Sequence, residues 1–188
     1  MGAKTQGTLL LIGGAEDKHN KCEILNRFLE ISGGEDSYIV VITTAAENQS
    51  AAGEEYQEVF GRLGALNIEI LSLGSRLKAE NDRVRRQMAK ATGVFFTGGD
   101  QLRITATLGG TLTDEEVHKA YRRGAVIAGT SAGASVMSDT MIVEGDSDQA
   151  PKLNTIKMAP GLGLLKEVVV DQHFAQRGRV GRLLSAMA

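Results

Sequence analysis

The chain has no tryptophan, one cysteine and few aromatic residues of any kind, 4% of its 188 positions. With so few rings, stacking of nucleic-acid bases is not what this protein is built for. A single cysteine, Cys22, excludes an internal disulfide and fits a reducing compartment. There is no excess of one charge sign: the formal net charge is −2. Proteins that bind nucleic acid or membrane surfaces by bulk charge carry a basic surplus, and none is present. Long hydrophobic runs are missing as well. The early run Leu9–Ile12 is too short for a signal-peptide core or a membrane span, so a cytoplasmic protein is expected. Myristoylation at Met1-Gly2 is not expected, because residue 6 is Gln6 rather than Ser or Thr.

What is present is ordinary for a globular chain: 42% hydrophobic and 23% charged residues, at a length that suits one domain over 1–188. Short apolar runs alternate with longer amphipathic segments. Strands are expected in 7–14, 37–45, 67–73, 92–100, 124–133 and 167–174, the last being "EVVVDQHF". Such continuous apolar runs are buried on both faces, as in a parallel sheet. Helices are expected in 21–32, 53–65, 79–91 and 113–124. The last begins with Thr113 three residues before Glu116, a capping-box spacing. Residues 144–155 read as a loop or hairpin. The alternation predicts right-handed βαβ units and an α/β three-layer sandwich with a mainly parallel sheet.

In such a sheet ligands sit beyond the carboxyl ends of the strands. Just past those ends lie Gly13-Gly14-Ala15-Glu16-Asp17, Thr43-Thr44, Gly98-Gly99-Asp100-Gln101, Thr130-Ser131-Ala132 and Asp171-Gln172-His173. Among them, "GTSAG" (129–133) has the Gly-x-Ser-x-Gly spacing of a nucleophile elbow. A strained turn pushes the serine hydroxyl over the sheet edge, and the next helix turns the Ala132 N–H toward a developing oxyanion. A serine nucleophile needs a base. Of three histidines, His19 reads as a surface or helix-start residue and His118 as a solvated helix residue. His173, at the end of an apolar run, is the candidate base. Asp171 would share a strand face with it and could either orient it or bind substrate. The Gly98-Gly99 pair offers a second oxyanion donor. No phosphate-binding loop and no metal-ligand spacing is present, and neither cofactor nor metal is expected. Arg177, Arg179 and Arg182 follow His173 closely and suit a carboxylate-bearing substrate.

Three segments, "FFTGGDQLR", "GTSAGAS" and "VVVDQHFAQRGRVGRLL", in this order and spacing, resemble the cyanophycinases. These enzymes fall within the serine exopeptidase family that also contains the α-aspartyl dipeptidases (peptidase E). The resemblance runs from "LLIGGAEDK" onward. It implies a fold like that of class I glutamine amidotransferases (flavodoxin-like), a Ser-His-Glu triad and a homodimer. It also implies release of β-Asp-Arg dipeptides from cyanophycin, a poly-aspartate with arginine on each side-chain carboxylate. Position by position, it implies Ser131 as nucleophile, His173 as base, and Gly99 and Ala132 as the oxyanion hole. Gln101, Asp171, Gln172, Arg177, Arg179 and Arg182 fall on the substrate pocket. The family's triad glutamate falls past residue 188, so the sequence reads as truncated, with weak or no activity expected without that acid. Loss of the orienting acid costs about 10⁴ in turnover. An aspartyl dipeptidase and a non-catalytic binding remnant are the alternative readings.

Overall fold

A computed structural model describes residues 6–145, 156–174 and 177–187. The strands β1 (Leu9–Ile12), β2 (Tyr38–Ile42), β3 (Asn67–Leu71), β4 (Gly93–Phe96) and β5 (Val126–Thr130) form one parallel five-stranded sheet in the order β1-β5-β4-β2-β3. Successive side chains alternate between its two faces, and each face has its own core. In β2, Val40 and Ile42 enter one cluster while Ile39 and Val41 enter the other. In β4, Val94 and Phe96 part from Phe95 in the same way. Both faces are covered, which is why these strands read as unbroken apolar runs.

One face is covered by α1 (Glu23–Ile31) and α2 (Gln49–Arg62), through Leu25, Phe28 and Leu29 and through Tyr56, Val59 and Phe60. Three of the five phenylalanines gather here: Phe28, Phe60 and Phe95 lie with ring centroids 5.5 Å apart pairwise, and Tyr56 lies 4.9 Å from Phe95. A fully buried ring of this kind contributes about 2–3 kcal/mol relative to exposure, so a few of them anchor this layer. The other face is covered by the short α3 (Arg76–Ala79), α4 (Asp82–Met88), α5 (Gln101–Leu108) and α6 (Leu112–Arg122). The result is the α/β three-layer arrangement that the sequence alternation calls for.

The structure departs from the sequence expectations at particular places. The run 167–174 is not a strand: Val168 is exposed, the segment carries no ladder, and His173 has a φ of 51° that no strand adopts. The helix expected over 79–91 is shorter: α3 ends at Ala79, Glu80 and Asn81 interrupt, and α4 runs only over Asp82–Met88, capped by Asn81. Thr113 is not a cap. The N-cap of α6 is Thr111, and the buried Thr113 hydroxyl instead donates to the Ala79 carbonyl at 2.7 Å. Helix α5 and the strand pair β6 (Thr140–Gly145) and β7 (Ile156–Pro160) are additional. The strand pair is antiparallel and flanks the segment read as a loop or hairpin, whose residues 146–155 lie outside the described ones.

Candidate active site

Strand β5 delivers Ser131 directly into α7 (Ala132–Ser135). Ser131 has φ 52° and ψ −111°, a conformation that side chains avoid, and its N–H donates to the Ile12 carbonyl at 2.9 Å. The turn closes only because its flanking residues lack side chains. A Cβ on Gly129 would lie 2.3 Å from the Gly133 carbonyl oxygen, and one on Gly133 would lie 2.3 Å from that of Phe96. Gly129→Ala is expected to destabilise the fold by about 1–3 kcal/mol, because only backbone can yield. A denaturant midpoint equal to that of the unchanged protein would show that α7 is not held against the strand.

The serine hydroxyl meets His173, with Ser131 Oγ 3.0 Å from His173 Nε2, and it also reaches Gln172 Oε1 at 3.4 Å. The imidazole is seated by the loop after β1. The His173 N–H donates to the Gly13 carbonyl at 2.8 Å, and the ring lies so close to Gly14 that a Cβ there would fall 2.3 Å from Cε1. The glycine pair after β1 is thus the seat of the histidine. Burial lowers the His173 pKa below its ordinary 6.5, the Arg177 and Arg179 charges lower it further, and Glu16 acts in the opposite direction.

Ser131 and His173 line a cavity of about 510 Å³ together with Glu16, Tyr56, Thr97 and Gly98. Asp17, Lys18, His19 and Glu55 complete its charged wall. The sequence places Glu16 at the ligand-binding edge but assigns it no role. Its side chain is 3% exposed, its Oε1 accepts from the Tyr56 hydroxyl, and its Oε2 accepts from the Thr130 hydroxyl, next to Ser131. Asp17 closes the loop by accepting from the N–H groups of His19, Asn20 and Cys22. These bonds hold its carboxyl well below the usual carboxylate range.

The other expected site residues are distributed unevenly. Ala132 opens α7 beside the serine. Gly99 adopts φ 138° against the Ala45 carbonyl, where any side chain would clash, while its neighbour Gly98 is the glycine that faces Ser131. Gln101 points elsewhere: its amide donates to the carbonyls of Ile142 and Val143 at 3.2 and 3.3 Å, which ties α5 to β6. Asp171 does not orient His173. Its carboxylate, 1% exposed, is held by Arg182 at 2.5 Å and Arg179 at 3.4 Å, and both guanidiniums are buried with it. Arg179 also donates to the Gln172 carbonyl at 2.6 Å, so this cluster fixes the backbone that carries His173. Arg177 is exposed, and its N–H donates to the His173 carbonyl. His118 is not a freely solvated residue: its Nε2 lies 2.8 Å from the Leu162 carbonyl oxygen. Among the described residues no group of three His, Cys, Asp or Glu is placed to hold a metal ion. No helix there is long and apolar enough to cross a membrane.

A family model described as peptidase family S51 matches residues 9–188. A cyanophycinase of Trichormus variabilis is 43% identical over 185 residues, covering 98% of this chain and 62% of its own length. One of Geminocystis herdmanii is 40% identical over 184 residues, covering 97% of this chain and 68% of its own. The chain therefore spans about two thirds or less of these curated relatives. Among solved structures, a peptidase from an acI-B1 Actinobacterium superposes with a TM-score of 0.74 at 23% identity, over 92% of this chain and 70% of that one. A putative peptidase E protein from Listeria monocytogenes gives 0.64 at 17% identity, over 95% and 87%. At these identities the two structures share its fold.

Proposed function

The chain belongs to peptidase family S51, and we propose that it carries the nucleophile and base of a serine exopeptidase that releases β-Asp-Arg dipeptides from cyanophycin. The observation that supports this reading most is the 3.0 Å contact between Ser131 Oγ and His173 Nε2 on a strained turn. In this reading Ser131 Oγ bonds to the scissile carbonyl carbon as its proton passes to His173 Nε2. His173 returns that proton to the leaving nitrogen as the C–N bond breaks, and water then releases the acyl group by the reverse roles. The N–H groups of Ala132 and Gly99 receive the oxyanion. Gln172 and the exposed Arg177 contact substrate, while Gln101 ties α5 to β6 and the buried Asp171, Arg179 and Arg182 hold the backbone that carries His173. The protein acts in the cytoplasm as a homodimer.

The reading is tested by incubating the protein with insoluble cyanophycin and, separately, with short Asp-X dipeptides. Arginine-containing dipeptide from the polymer supports it. Cleavage of Asp-X dipeptides alone replaces it with an aspartyl dipeptidase.

Labelling of Ser131 by a serine-directed phosphonylating reagent reports the base directly, since only neutral His173 can take the proton. Burial and the two arginines depress the His173 pKa, so neutral imidazole persists to lower pH. The labelling rate is expected to fall on acidification with a midpoint below 6.5. A midpoint at or above that value would contradict this assignment of the base.

A further inference from the structure

We infer that Glu16 is a positioning residue for the Ser131–His173 pair: its buried carboxylate, tied to the residue before the serine, supplies the negative charge facing the imidazolium. The inference rests on the reading of Ser131 and His173 as nucleophile and base. Three observations carry it. Glu16 lines the same cavity as both residues. Its carboxylate is 3% exposed, so its field is poorly screened by water. Its two oxygens are gripped from opposite sides, by the Tyr56 hydroxyl on α2 and by the Thr130 hydroxyl at the end of β5. A continuous chain of contacts thus runs from Tyr56 through Glu16 and Thr130 to Ser131 and His173.

A buried carboxylate is costly unless it is hydrogen-bonded and faces positive charge. Lys18 stands 3.8 Å from Glu16 but lies 2.9 Å from Glu55, so it is shared and nearer the second acid. The charged groups around His173 sort accordingly. From its own segment come Arg177 and Arg179, both opposing an imidazolium. From the loop after β1 come Glu16, Asp17, Lys18 and His19, and from α2 come Glu55 and Tyr56. Of these, Glu16 is the carboxylate whose field favours the protonated ring. Without it, a histidine seated beside two guanidiniums would be a poor acceptor for the serine proton. The tether to Thr130 adds geometry to charge, because it fixes the residue that sets the turn.

The test is Glu16→Gln. The amide is isosteric: one hydroxyl keeps donating to its oxygen while the other rotates to accept from its NH₂, so the fold is retained. The His173 ring is followed by NMR in protein with labelled histidine, and its signal is assigned by its loss in His173→Asn. The titration midpoint is expected to drop by about half a unit or more in Glu16→Gln. It should stay near its original value in Glu16→Asp, which keeps the charge. Removing the phenol in Tyr56→Phe, which unshields the carboxylate, should move the midpoint upward. In parallel, Ser131 labelling in Glu16→Gln should slow about threefold at its plateau, with its acid limb shifted to lower pH. An unmoved His173 midpoint in both Glu16→Gln and Tyr56→Phe overturns the inference, and so does a slower plateau with an unmoved limb. If instead Ser131→Ala is labelled as fast as the unchanged protein, the catalytic reading fails while the titration result stands on its own.

Discussion

Ser131→Ala is expected to lower dipeptide release by about 10⁴-fold or more and to abolish covalent labelling. The size follows from what the hydroxyl does. In the proposed mechanism it is the atom that bonds to substrate, and no other described hydroxyl is hydrogen-bonded to His173. Thr130 is adjacent in sequence, yet its hydroxyl is committed to Glu16 and cannot take over. Alanine removes no packing group larger than the hydroxyl itself, and among the described residues Ser131 Oγ is hydrogen-bonded only to Gln172 and His173. The fold should survive, and a circular-dichroism melt alongside the assay separates lost chemistry from lost structure. Release within tenfold of the unchanged protein would remove Ser131 from the mechanism.

The second large effect concerns stability. Asp171→Asn is expected to cost about 3–5 kcal/mol, seen as a fall of about 10 °C or more in melting midpoint. Asp171, Arg179 and Arg182 are 1%, 7% and 5% exposed. Asparagine keeps the shape and one acceptor but leaves two buried guanidiniums with no counter-charge. Removing one partner of a buried ion cluster is far more damaging than never having built it. The double variant Asp171→Asn with Arg182→Met should regain part of the loss, because the charges couple. A melt of Asp171→Asn that matches the unchanged protein would mean that water reaches these groups. Labelling of Ser131 should weaken in the same variant, because Arg179 holds the Gln172 carbonyl one residue from the base.

The sheet was legible because its strands are buried on both faces. Ile39 to Ile42 could be read as a strand without knowing where either helical layer lay. The serine turn was legible for a related reason, since Gly129 and Gly133 are required by atoms within five residues of sequence and by the neighbouring β4. "EVVVDQHF" misled because β-branched residues mark extended backbone, and extended backbone is not always a ladder. That segment bonds instead to the α7 side of the molecule, with Val170 N–H on Ser138 and Val170 carbonyl on Ser135. Once the strand is gone, the shared face expected for Asp171 and His173 goes too, and Asp171 turns to the arginines. Glu16 could be placed at the sheet edge, but its role stayed hidden for a simpler reason. Its partners lie 40 and 114 residues away, and no local pattern announces such a meeting.

The aromatic layer has an optical consequence. With no tryptophan, ultraviolet emission from this protein belongs to its three tyrosines. Tyr56 is the one whose hydroxyl is bound to a buried carboxylate and whose ring touches Phe95. Hydrogen bonding of a phenol to a carboxylate weakens its fluorescence, so Tyr56 emission is expected to rise when the Glu16 contact opens, as in Glu16→Gln. Such emission would report, without any added dye, on the carboxylate that holds the residue before Ser131.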